Sequence, residues 1–88
     1  MADHKIKILI IDDEKNIRLT LRDILEDDGH KVVEAGSGED GIALLKEQNV
    51  DLVLLDVRLP GMDGIEVLKA IREIDETLDV IMISGHAT

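Results

Sequence analysis

The 88-residue sequence contains no Phe, Tyr or Trp, no Cys and one Pro. Without aromatic rings, single-stranded nucleic acid cannot be held by base stacking. Any core must come from Ile, Leu, Val, Met and Ala. Without Cys there is no disulfide framework and no thiolate zinc site, which suits a reducing, cytoplasmic setting. No apolar run approaches the roughly 20 residues of a membrane span. The polar opening Met1-Ala2-Asp3-His4-Lys5 is not a signal peptide. Positive charge is also scarce: 10 Lys and Arg stand against 20 Asp and Glu, a formal charge of -10. Such a surface repels DNA phosphates and anionic lipid. Neither nucleic-acid binding nor membrane association is expected of it. Divalent cations and basic patches on protein partners suit it better.

What is present is a core-forming composition, 44 % hydrophobic, enough for one small domain over residues 1–88 and too short for two. Short apolar runs alternate with amphipathic stretches. Lys5–Ile11 (KIKILII) reads as a strand that ends abruptly in acid. Residues 15–28 place Ile17, Leu21, Ile24 and Leu25 on one helical face, with Gly29 as its stop signal. Lys31–Ala35 is a second strand. Ser37, three residues before Asp40, starts a second helix carrying Ile42, Leu44 and Leu45. Val50–Val57 is a third strand, apolar enough for burial on both faces. Pro60-Gly61 is a turn. Asp63 and Glu66 make a capping pair for a third helix with Ile65, Leu68 and Ile71. Leu78–Ile83 is a fourth buried strand. The order βαβαβαβ predicts an α/β fold with a mostly parallel sheet and helices on both faces.

Two apolar strands run into carboxylate: the first into Asp12-Asp13, the third into Asp56. The fourth runs into Ser84-Gly85. Ligands of open α/β sheets bind outside the carboxyl ends of the strands, where strand order reverses. If the first and third strands are neighbours, Asp12, Asp13 and Asp56 share one pocket. Their mutual repulsion then calls for a cation or for protons. Oxygen ligands without His or Cys favour a hard ion, and Mg²⁺ is the economical choice. The plainer reading of Asp12-Asp13 is a helix N-terminus, where acids are favoured. The plainer reading of Asp56 is a turn residue, although an unpaired charge closing a buried run is costly.

Asp12-Asp13 after an apolar strand, the stretch Asp56-Val57-Arg58-Leu59-Pro60-Gly61-Met62-Asp63-Gly64, and Ser84-Gly85 after a fourth strand together resemble the receiver domains of two-component response regulators. The resemblance runs the length of the chain. It implies a flavodoxin-like sheet of strand order 2-1-3-4, a topology for which chemotaxis receivers are the handy example. It implies that Asp56 accepts a phosphoryl group from the phosphohistidine of a sensor histidine kinase. Asp13 and Asp56 are then Mg²⁺ ligands, with the backbone carbonyl of Arg58 as a third and Asp12 acting through water. The Ser84 hydroxyl holds a phosphoryl oxygen and couples phosphorylation to loop movement. The ending Ser84-Gly85-His86-Ala87-Thr88 is similar to receivers of the nitrogen-regulation class.

A full receiver continues through a fifth strand, with its phosphate-pairing Lys, and two further helices; no residue of this sequence matches them. The expectation is therefore a truncated receiver with impaired phosphotransfer, acting as a phosphoacceptor and not as an enzyme. Its fourth strand is expected at an open edge that recruits a second copy of the chain. The alternative is a self-associating half-fold that carries no phosphate. Aspartate-nucleophile phosphatases are disfavoured, because a second Asp two residues after the nucleophile is replaced by Arg58 after Asp56 and by Glu14 after Asp12. Dinucleotide binding lacks its glycines after the first strand. A calcium-binding EF-hand loop fails at Arg58 and Pro60.

Overall fold

The structure is a computed structural model that describes residues 5–83. Seven elements follow the expected order: β1 (Lys7–Ile11), α1 (Lys15–Asp27), β2 (Lys31–Ala35), α2 (Gly38–Glu47), β3 (Leu52–Asp56), α3 (Gly64–Ile74) and β4 (Asp79–Ile83). The strands form one parallel sheet in the order β2-β1-β3-β4. This is the flavodoxin-like order, and it places β1 and β3 side by side in the centre.

Side chains alternate across a strand, and the core divides accordingly. Leu9, Ile11, Val53 and Leu55 point to one face, where they pack with Val67 and Ile71 of α3 and with Ile42, Leu44 and Leu45 of α2. Ile8, Ile10 and Val32 point to the other, where Leu21 and Leu25 of α1 cover them together with Leu52 and Leu54. Two helices cover the first face; among the described residues, α1 alone covers the second. No residue of α1 is fully buried.

The helix boundaries follow local chemistry. Gly29 adopts φ +91°, and its N–H donates to the Glu26 carbonyl at 2.9 Å, closing α1 in the left-handed conformation that glycine adopts freely. The Ser37 hydroxyl accepts from the Asp40 N–H at 3.1 Å. Asp63 and Glu66 form a reciprocal capping box: Asp63 Oδ1 accepts from the Glu66 N–H at 3.0 Å, and Glu66 Oε1 accepts from the Asp63 N–H at 3.1 Å. Asp63→Ala is expected to lower stability by about 1 kcal/mol, read as a shift of the denaturation midpoint. An unchanged midpoint removes the box from the account of α3.

Three expectations need correction. Ile24 and Ile65 are 59 % and 52 % exposed. The inward face of α3 is Gly64, Val67 and Ile71, a spacing of three then four that follows the 3.6-residue turn. Ile65 lies just off it. On α1, Leu21 and Leu25 face the sheet, and Ile24 does not. The fourth strand is not buried on both faces: Val80 and Met82 pack on the core, while Ile81, opposite Leu54, is 50 % exposed. The apolar sequence of β4 reads as buried because composition cannot tell which face has a cover.

Candidate functional site

β1 and β3 run in parallel with Ile11 opposite Leu55, so the residues that follow emerge together at the carboxyl rim. Asp12 is the first residue beyond β1, and Asp56 is the last of β3. Both are fully buried at 0 % exposure, whereas Asp13 is exposed. One carboxylate oxygen from each of Asp12, Asp13 and Asp56 lies within 4.8 Å of the other two. The convergence expected of neighbouring first and third strands is present.

The two buried aspartates use the same local device. Asp12 Oδ1 accepts from the Glu14 N–H at 2.8 Å, and Asp56 Oδ1 accepts from the Arg58 N–H at 3.1 Å. Each side chain thus ties to the backbone two residues on, as short acids do in turns. The other oxygen of each, Oδ2, is buried without a hydrogen-bond partner. The helix-cap reading of Asp12-Asp13 is replaced: the N-cap of α1 is Glu14, with no side-chain cap bond, and the acidic pair precedes it.

An unpartnered buried carboxylate oxygen is costly. Burial pushes the Asp12 carboxyl above its ordinary 3.8; the Glu14 N–H works against this, and the charges of Asp56, Asp13 and Glu14 add to the rise. The folded chain therefore holds this proton more tightly than the unfolded chain. Its contribution to stability is complete below 3.8 and is lost as pH rises through the folded value. Measured by denaturant midpoints without divalent cation, Asp12→Asn is expected to gain on the parent chain as pH rises from acid toward neutral. A constant difference between the two removes Asp12 from the acid-range behaviour.

Two unpartnered buried oxygens and one exposed carboxylate, with no nitrogen or sulfur donor, fit a hard divalent cation such as Mg²⁺. Two recesses of about 190 and 390 Å³ open at the opposite rim and are lined by none of the three acids. Ser84 lies outside the described residues. Arg58 is exposed, and its N–H is committed to Asp56. Lys46 and Lys69 are exposed helix residues.

Arg18, unmarked by any motif, also meets the acidic turn. Its Nη1 donates to the Asp12 carbonyl at 2.6 Å, and its Nε donates to Glu34 Oε1 at 3.0 Å. Arg22 Nη1 meets the other Glu34 oxygen at 2.6 Å. The Arg22 guanidinium, with Arg18 behind it, holds the Glu34 carboxyl below its usual range. The available signal was a Glu following the apolar pair Val32-Val33 in the strand Lys31–Ala35, with arginines four residues apart on α1.

A parallel 2-1-3-4 sheet with a triad of acids at the carboxyl rim of β1 and β3 defines a receiver-like architecture. The chain matches the response regulator receiver domain over residues 8–88 and belongs to that family. It is 40 % identical over 80 residues to sporulation initiation phosphotransferase F of Bacillus subtilis, covering 91 % of this chain and 64 % of that protein. It is 48 % identical over 79 residues to transcriptional regulatory protein AfsQ1 of Streptomyces coelicolor, covering 90 % of this chain and 35 % of that protein. Among solved structures it resembles response regulator protein TrrA of Thermotoga maritima, determined in complex with Mg(2+)-BeF. The TM-score is 0.86 at 34 % identity, over 92 % of this chain and 70 % of that one.

Proposed function

We propose that Asp56 is the phosphoryl acceptor of this receiver domain and that a sensor histidine kinase is the donor. An Asp56 carboxylate oxygen attacks phosphorus, the phosphorus–nitrogen bond of the kinase phosphohistidine breaks, the imidazole leaves with the bond's electron pair, and an aspartyl phosphate forms. The observation that carries this reading is the buried Asp56 Oδ2, which has no hydrogen-bond partner and stands beside Asp12 and Asp13. Asp13 and Asp56 would hold Mg²⁺, with the Arg58 carbonyl as a further ligand and Asp12 acting through water. Positive charge from such an ion would offset the charge that develops in transfer. The Ser84 hydroxyl takes a phosphoryl oxygen. The chain acts stoichiometrically in the cytoplasm, as a receiver of the nitrogen-regulation class, and these 88 residues alone take up phosphate slowly. The test is incubation with Mg²⁺ and a small-molecule phosphodonor, followed by intact mass. A slow gain of one phosphoryl mass supports the reading; no gain under prolonged labelling leaves a module that assembles without phosphate.

The same 88 residues are proposed to self-associate. β4 is the edge strand of the described sheet, and Ile81 stands half-exposed beside Leu54 on the thinly covered face. Light scattering is expected to give a mass of at least two chains. A stable monomer at micromolar concentration removes this part of the proposal.

A further inference from the structure

We propose that Arg18, braced by Glu34, is a positioning residue that fixes the Asp12-Asp13 turn for divalent-cation binding. The inference rests on the metal-site reading above.

Three ties hold Asp12. Its N–H donates to the Ala35 carbonyl at 3.1 Å, its side chain accepts from the Glu14 N–H at 2.8 Å, and its carbonyl accepts from Arg18 Nη1 at 2.6 Å. The first two come from the chain beside the turn. The third comes from a side chain one turn inside α1. Arg18 is itself held, since Nε meets Glu34 Oε1 at 3.0 Å and its side chain is 17 % exposed. The guanidinium therefore spans from β2 to the turn and joins three elements: the end of β1, the start of α1 and the middle of β2. A planar fork with several donors can hold both partners at once; a lysine ammonium reaches one of them well.

Positioning and plain electrostatics make opposite predictions for this residue. A cation beside a cluster of carboxylates opposes the entry of a second cation, so removing it tightens metal binding if charge is all that matters. If Arg18 sets the geometry of the turn, removing it weakens binding, because partners behind the ligands orient them. Arg22 is the internal control. It carries the same charge and meets the same Glu34, at 2.6 Å, but its other side-chain partner is Glu26 and not the turn.

The experiment titrates Mn²⁺ into the full chain and follows the free ion by electron paramagnetic resonance. Circular dichroism checks that each variant is folded. Arg18→Ala is expected to weaken Mn²⁺ binding about tenfold, and Arg22→Ala to leave it within about twofold of the parent. Arg18→Lys conserves charge and protects the test against a folding failure of the alanine variant; it is expected to bind Mn²⁺ several-fold more weakly than the parent. Unchanged or tighter binding in the folded Arg18 variants, beside normal binding in the parent, overturns the inference alone. Equal weakening in Arg22→Ala also overturns it. A parent chain that does not bind Mn²⁺ overturns the site reading and this inference together.

Discussion

Asp56→Asn is expected to abolish phosphoryl uptake and, without divalent cation, to make the chain more stable. The first effect follows from the nucleophile: a carboxylate oxygen attacks phosphorus, whereas an amide has no comparable lone pair to give. The second follows from burial. Asp56 is 0 % exposed with Oδ2 unpartnered, and two other acids lie within 4.8 Å. Asparagine keeps an oxygen for the Arg58 N–H, removes the charge, and puts an N–H donor among carboxylates. The gain is about 1–2 kcal/mol, which for a domain of this size raises the melting temperature by very roughly 4–16 °C. Mg²⁺ is expected to stabilise the parent by an amount that grows with the logarithm of its concentration above the dissociation constant, and the variant much less. Mass spectrometry and thermal denaturation read both effects from one pair of samples. A variant that still takes up label, or that melts below the parent without cation, contradicts the role given to Asp56.

The largest loss of stability from a single added methyl is expected at Gly64. This residue opens α3 and is buried, and its N–H donates to the Val57 carbonyl at 3.2 Å. A Cβ there would lie 2.7 Å from the Asp56 carbonyl oxygen and 2.9 Å from both the Val57 Cα and its carbonyl oxygen. Each of these is a main-chain atom, so no side-chain rotation can relieve the overlap. Either α3 or the strand end carrying Asp56 must move. Gly64→Ala is expected to cost about 2–3 kcal/mol, out of the roughly 5–15 kcal/mol that holds a small domain together. Because the crowded backbone belongs to Asp56 and Val57, Mn²⁺ affinity is expected to fall as well. Gly41→Ala offers a contrast: its Cβ would meet side-chain atoms of Ile11, the nearest at 2.4 Å. It is expected to destabilise without weakening Mn²⁺ binding. A Gly64→Ala chain with parental stability shows that the crowding is relieved by small shifts.

Most of the architecture was legible because its signals are local. The abrupt change from Ile11 to Asp12, the Ser37–Asp40 cap and the Asp63–Glu66 box are each decided within four residues, and all appear where expected. The strand order was supplied by resemblance, since no local signal says which strands pair. The three acids were visible because two apolar runs end abruptly in acid, one in Asp12-Asp13 and one in Asp56. What escaped depends on the other side of a contact. Whether Ile24, Ile65 and Ile81 are covered is decided by which elements lie over them, and periodicity carries no such information. Arg18 and Glu34 are 16 residues apart in sequence and look like ordinary surface charges until β2 is placed beside β1. Gly64 was read as part of a motif, and the main-chain atoms that require it became visible only with the fold.

The uneven clothing of the sheet has a thermodynamic consequence. α1 has no fully buried residue, reaches the core through half-buried Leu21 and Leu25, and is the sole described cover of its face. A segment attached this lightly can part from the rest at a free energy below that of global unfolding. The acidic turn leads directly into its first residue, and Arg18 within it grips that turn. Detachment therefore dismantles the turn, and an ion held by the turn would oppose it. On the cation-site reading proposed above, helix docking and cation occupancy would be one linked equilibrium, and divalent ion is expected to slow amide exchange across α1.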